Sequence, residues 1–258
     1  MIAIIIFFIA HWYLSLFSQT FFLHRYSAHK MFTMNKFWER FFYMFTYITQ
    51  GSSYLSPRGY AILHRMHHAY SDTELDPHSP HHSNNLFDMM WKTKKMYSDF
   101  AHERVEVPVQ FDKNYPVWNF VERLGESWGS RIAWGTAYVL FYVAFVPASM
   151  WYLYLLLPIH FLMGPVHGAI VNWAGHMYGY QNFDNQDKSK NSLVLDFLMM
   201  GELFQNNHHK LPKRMNFAVK WWELDPTYPV IKVLSWMRII RPQTATAGQV
   251  TGDFRQAV

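Results

Sequence analysis

No cysteine occurs among the 258 residues of the chain. Disulfides, thiolate-ligated haem, iron–sulfur clusters and cysteine zinc sites are thereby excluded, and any bound metal must use imidazole, carboxylate or amide donors. Charge is scarce too. Asp, Glu, Lys and Arg supply 16% of the residues, against about a quarter in soluble domains, which points to a chain partly solvated by lipid. Two metal-binding patterns are missing: the Glu-x-x-His pairs of ferritin-like di-iron proteins and the His-Glu-x-x-His of zinc proteases. The apolar N-terminal run has neither the basic start nor the small-residue cleavage site of a signal peptide, so it reads as mature structure.

What the chain has is apolar bulk. Half of its residues are hydrophobic and 19% are aromatic, enough to bury a core, and one domain is expected over residues 1–242. Residues 2–23 carry no charge and as a helix would be about 30 Å long, the thickness of a bilayer core. His11, Ser15, Ser18 and Gln19 fall on one face of that helix, which should turn toward protein. Arg25, Lys30, Lys36 and Arg40 follow at once, placing the end of this span in the cytoplasm and the N-terminus outside. From Ile132 to Phe183 there is no Asp, Glu, Lys or Arg, which predicts a hairpin of spans over residues 132–147 and 149–171. Kinks are expected near Pro158, Gly164 and Pro165.

Residues 41–57 are uncharged but diluted by Thr, Gln, Gly and Ser, predicting a partly embedded or protein-buried helix and leaving a fourth crossing open. The segments from Arg58 to Arg131 and beyond Asp184 belong in the cytoplasm. Residues 243–258, rich in Thr, Ala, Gly and Gln without periodicity, read as a disordered tail. The expected class is an all-α integral membrane protein of three spans with a cytoplasmic helical domain. The formal charge of +5 suits anionic headgroups or a phosphate-bearing substrate.

Four polar groups would gather at the cytoplasmic ends of these spans. His24 and His29 are five residues apart, so their rings meet only if the helix ends between them. His64, His67 and His68, at spacings of three and four, share one side of a helix. Gln205, His208 and His209 repeat that spacing with glutamine in the first place, and Asn172 and His176 stand four apart at the exit of the last span. Imidazoles in such numbers suit a transition metal able to activate oxygen, iron before others. His11, His160 and His167, inside the spans, read as packing residues, and His81, His82 and His102 as solvated surface.

Together these boxes resemble those of the integral-membrane fatty acid desaturases, most nearly the stearoyl-CoA (delta-9) type, over nearly the whole chain. The order matches: His24 to His29, His64 to His68, Asp72-Thr-Glu-Leu-Asp76-Pro77-His78, the hairpin, Asn172 to His176, then Gly201-Glu202 through His209. The resemblance implies that His24, His29, His64, His67, His68, His176, His208 and His209 bind two Fe2+ ions, with Asn172 reaching one iron through water and no catalytic side chain beyond the metal centre. Two departures stand out. Gln205 occupies a position where eukaryotic desaturases have histidine, so an amide oxygen, a water or a vacancy would stand in place of an imidazole there. The chain starts directly with the span leading into His24, so the first span of the family's usual opening hairpin is either dispensed with in this branch or trimmed from the sequence.

Around these ligands, Asp76, His78, Glu202 and Trp173 are candidates for orienting ligands or touching substrate, and Arg58, Arg65 and Lys92 for headgroup contacts. The implied reaction is O2-dependent insertion of a double bond into a long acyl chain, borne by CoA or a lipid, lying in an apolar tunnel at the membrane. Electrons must come from a separate carrier such as ferredoxin or cytochrome b5, since no fused carrier is evident; nucleic acid is not an expected partner. A related histidine-box hydroxylase or ketolase is the nearest competing reading. A metal transporter is a more distant one, since it would need polar residues along several spans rather than boxes beyond their ends.

Overall fold

The computed structural model describes residues 1–193 and 195–243. Its first helix, α1 (Ile2–Phe17), runs without a break into a wider π-helical segment, Ser18–Ala28. Together they make a 27-residue helix long and apolar enough to cross a membrane. Ile2, Ile6 and Ile9 are exposed, while His11, Ser15, Ser18 and Gln19 are buried, so the polar face turns inward as its spacing requires. The helix does not end between His24 and His29, contrary to the expectation. It widens instead: the His29 N–H donates to the carbonyl five residues back, that of His24, at 3.1 Å. This i→i+5 register makes residues five apart neighbours on one face and sets the two rings 5.0 Å apart.

Asn35 caps α2 (Lys36–Gln50) by accepting the Trp38 N–H at 3.0 Å. This helix buries Phe42, Tyr43, Thr46 and Gln50 and exposes Phe37, Phe41 and Ile48, an amphipathic element in keeping with the diluted hydrophobicity of residues 41–57. It ends at Gly51, whose φ of +52° suits glycine and where a Cβ would run into the Tyr138 hydroxyl. Ser56 then caps α3 (Pro57–Tyr70), which carries His64, His67 and His68 on its buried side. Next, α4 (Leu86–Ala101) packs along α3, with Ile62 and Leu63 against Phe100. A short α5 (Asn119–Glu126) leads into α6 (Trp128–Phe145).

A turn at Val146 and Pro147 opens a 3-10 stretch, Ala148–Leu156, followed by α7 (Leu157–Phe161) and α8 (Met163–Met177). The chain bends by 75° at Leu162, between Pro158 and Pro165, so the expected kink is sharp; the two arms pass the length and apolarity test for a span only when taken together. Ile132, Leu140, Val143, Trp151, Leu155 and Leu162 project outward along these segments, exposing apolar area that a soluble fold would bury. Inside them, the Nδ1 atoms of His11 and His160 lie 2.6 Å apart, Tyr142 meets His160 Nε2 at 2.9 Å, and His167 packs edge-on to Trp12. These contacts agree with a packing role.

The remainder closes over the histidines. The short helix α9 (Gln205–Lys210) carries His208 and His209, and α10 (Thr227–Trp236) contributes Ile231 to the core that also holds Phe204 and Phe217. Two three-residue strands, Phe32–Met34 and Ile240–Pro242, pair antiparallel and fasten the C-terminal part beside the first histidine group. The pairing reaches Gln243, whose N–H donates to Met31 at 3.0 Å, one residue into the expected tail; residues 244–258 of that tail lie outside the described residues.

Candidate metal centre

Four segments bring histidines to one place: the π-helical end of the first helix, α3, the exit of α8, and α9. Every one of the eight is buried or nearly so. They divide into two poles, His24, His29, His64, His68 and His208 forming one, and His67, His176 and His209 the other. The division follows helical phase. On α3, His64 and His68 are four apart and share a pole, whereas His67, one residue out of phase, turns to the other.

At the five-histidine pole the ring nitrogens face one another. The Nε2 of His208 lies 2.9 Å from that of His24 and 2.9 Å from that of His68; the His64 Nε2 lies 3.1 Å from His68 and 2.7 Å from His29. A neutral imidazole has one N–H and one lone pair. The His24 N–H is already committed, because Nδ1 meets the Glu202 carboxylate at 2.6 Å, so its lone pair points into the cluster. Nitrogens bound at about 2.1 Å to one ion at right angles lie about 3 Å apart, which is the spacing found. Burial first, and then the neighbouring imidazoles, push His29, His64, His68 and His208 well below the usual histidine range, keeping their lone pairs available.

The three-histidine pole is built differently. Each ring is held from behind by a carboxylate on Nδ1: His67 by Asp76 at 2.9 Å, His176 by Asp72 at 2.9 Å, and His209 by Asp187 at 3.0 Å. The inner Nε2 of His176 is buried without a partner, and those of His67 and His209 face each other at 3.2 Å. Carboxylates placed so fix the tautomer and raise the basicity of the inner nitrogen. Burial opposes their charge, but the imidazoles they hold override it and lower all three. Asp76 in turn raises His67 against the opposing effect of burial. Both donor sets fit a transition-metal ion: inward, buried nitrogens with outer partners on four of the eight rings.

Glu202 serves as the carboxylate of the five-histidine pole and also anchors Arg25. That guanidinium is fully buried, reaches Asp225 at 2.8 Å and Glu202 at 3.1 Å, and stacks on Phe217 at 3.8 Å. Asp76 and Glu202, read from the sequence as candidates for orienting a ligand or touching substrate, each lie against the Nδ1 of a histidine of these poles. Gln205 lies against Gly175, beside His176, with its amide nitrogen donating to the Glu202 carbonyl at 2.5 Å. Asn172 and Trp173 are half-buried on α8, one turn before His176. His78 is buried beside His67.

The three cations proposed as headgroup contacts are all engaged with other partners. Arg65 is buried, its guanidinium given over to the carbonyls of Ser27, Ala28, Phe111 and Lys113; it ties the first box to α3 and is not open to a headgroup. Arg58 is paired with Asp112 at 2.6 Å, and Lys92 with Asp88 at 2.9 Å. Sequence reasoning missed Asp72 and Asp187 as supports, since a lone aspartate in a polar segment gives no signal of what it holds. It also misread His81, which is half-buried with its Nε2 3.1 Å from the His176 carbonyl, as simple surface; His82 and His102 are exposed as expected.

The model of the family described as fatty acid desaturase matches residues 1–235. Among curated relatives, an acyl-CoA 5-desaturase of Anemone leveillei is 29% identical over 86% of this chain and 65% of its own length. An sn-1 stearoyl-lipid 9-desaturase of Synechocystis is 28% identical over 88% of this chain and 68% of its own. A hex-5-enoyl-[acyl-carrier protein] acetylenase of Moorena producens is 26% identical over 86% and 71%. The chain therefore spans about two thirds of the length of these relatives.

Proposed function

The chain belongs to the fatty acid desaturase family, and on that premise we propose that it is a membrane-embedded, O2-dependent desaturase of long saturated acyl chains with two iron ions on its eight buried histidines. The observation that carries this reading is the convergence of those histidines, from residues 24 to 209, into two inward-facing donor sets. Iron bound there would supply the oxidising power to take one hydrogen from each of two adjacent methylenes, the two hydrogens, two external electrons and two protons reducing O2 to two waters. His24, His29, His64, His68 and His208 hold one ion, and His67, His176 and His209 the other. Asp72, Asp76, Asp187 and Glu202 keep the rings in register. Asn172, one turn before His176, holds a water at the second ion, and Trp173 beside it flanks the acyl chain.

The proposed setting is a three-span scaffold with its N-terminus outside and the centre at the cytoplasmic surface. Arg25, Lys30, Lys36 and Arg40 beyond the first span support that orientation, and the outward apolar side chains of α1, α6 and the 148–162 stretch support the spans. The acyl group is taken as a CoA thioester, with electrons delivered by a separate carrier. Relatives named for CoA, lipid and carrier-protein substrates make the carrier group the property to measure. Gas chromatography of lipids from an expressing host, set beside assays on acyl-CoA and on glycerolipid, tests the reading. A new monounsaturated product that disappears with His64→Ala supports it; a hydroxylated or keto product would assign the chain to a different reaction.

A further inference from the structure

The two poles are unequal, five imidazoles against three, and the residue that would even them out, Gln205, has its amide nitrogen committed to a backbone carbonyl. One more histidine lies beside the poorer pole. His78 is 4% exposed, and neither of its ring nitrogens has a partner. Its ring centroid is 4.2 Å from that of His67. The same carboxylate serves both residues: Asp76 holds the His67 ring by Nδ1 and accepts the backbone N–H of His78 at 3.0 Å. The donor atoms of His67, Asp76 and His78 all lie within 4.8 Å of one another, in a group that shares His67 with the His67, His176 and His209 pole.

A buried imidazole with both nitrogens unsatisfied is a costly thing to leave in a fold, because each loses its hydrogen bonds to water and gains nothing in return. The other unpartnered nitrogens around the centre belong to rings whose second nitrogen is engaged; His29, for example, faces His64 by Nε2. His78 has no such engagement. Its chain position also restrains it, since Pro77 precedes it and Asp76 grips its amide, so the backbone there is fixed toward His67.

We infer that His78 is a ninth histidine ligand of the centre, bound to the ion of the His67, His176 and His209 pole and supplying the imidazole that Gln205 does not. The inference rests on the two-ion reading above and assigns to His78 a direct bond, where the sequence alone left it between orienting a ligand and touching substrate.

Cobalt(II) titration of the metal-stripped, detergent-solubilised full chain tests it, read by calorimetry and by X-ray absorption for the number of imidazoles per ion. The wild type should take up two Co2+ ions. His78→Phe should leave one site unchanged and weaken the other at least about tenfold, with a lower mean imidazole count. The surviving site is the control for folding. If the larger ring disturbs both sites, His78→Asn, closer in size and polarity, must weaken the same single site. Two sites of wild-type affinity in His78→Phe would overturn the inference, as would weaker binding with an unchanged imidazole count, which would make His78 a support for His67 from outside. A wild type that binds fewer than two ions would instead sink the two-ion reading itself.

Discussion

Glu202 and His24 meet at 2.6 Å although 178 positions separate them in sequence. The contact leaves the His24 N–H on the carboxylate side and the lone pair facing the cluster; burial opposes the Glu202 charge, but His24 and then Arg25 hold its carboxyl below the usual range. Glu202→Gln keeps the shape and an acceptor but removes the charge. Iron content should fall by about 10- to 100-fold in affinity while membrane insertion is unchanged, as measured by metal analysis of the membrane fraction. Undiminished iron in this variant would mean that the carboxylate only packs.

Replacing His64, His68, His176 or His209 by Ala should abolish turnover, because each removes an inward donor from a buried set. Insertion depends on the apolar helices and should persist. Purified wild type should carry two irons per chain; a preparation with one zinc and no iron would overturn the assignment.

The two poles should part company as the pH falls. At the five-histidine pole, burial and then the neighbouring imidazoles hold His29, His64, His68 and His208 well below the usual histidine range, so an ion competes with fewer protons there. His67 is raised by Asp76, so in the metal-free protein it holds a proton up to a pH above 6.5 that the ion must expel. Affinity at the His67 pole should therefore rise with pH until His67 is neutral, changing about tenfold per unit below that point. Dialysis at stepwise lower pH should release one ion per chain before the other. Simultaneous release would contradict this account.

Gln205 is the position at which the family resemblance fails and the structure is most specific. Its amide supports the Glu202 carbonyl, and it lies so close to Gly175 that a Cβ there would fall 2.4 Å from its Cγ. Gln205→His should retain metal and at least part of the activity. Gln205→Leu, which keeps bulk and loses the hydrogen bond, should lose activity with the fold intact, and Gly175→Ala, which pushes Gln205 aside, should mimic it. Full activity and full iron in Gln205→Leu would reduce the residue to packing.

Much of this was legible before any coordinates, because spacing carries phase. Spacings of three and four on α3 and α9 announce a common face, and an uncharged run from residue 2 to 23 announces a span. The i→i+5 turn was not legible: a pair of histidines five apart fits a broken helix as well as a π-helix, and only the His29 to His24 hydrogen bond decides. Asp72 and Asp187 escaped for another reason. Each acts on a histidine far away in sequence, His176 and His209, and no local pattern records such a partnership.

The proposed orientation in the membrane rests on the basic residues after the first span. A tag at the N-terminus should be reached by an impermeant reagent on sealed cells, and one at Val258 should not. Protection of both tags would overturn the three-span arrangement.

The spread of the donors from His24 to His209 orders events during synthesis. The first apolar helix can enter the membrane early, and α3 can follow with its three histidines, but neither pole is complete until α9 has been made and has folded back on them. Until then the chain offers incomplete, partly hydrated imidazole sets that hold a metal weakly, and contacts of such long sequence separation form late. A ribosome-bound chain stopped before residue 205 should thus be an inserted but inert protein. On the two-ion reading, no oxygen-activating site would then exist on a half-finished polypeptide.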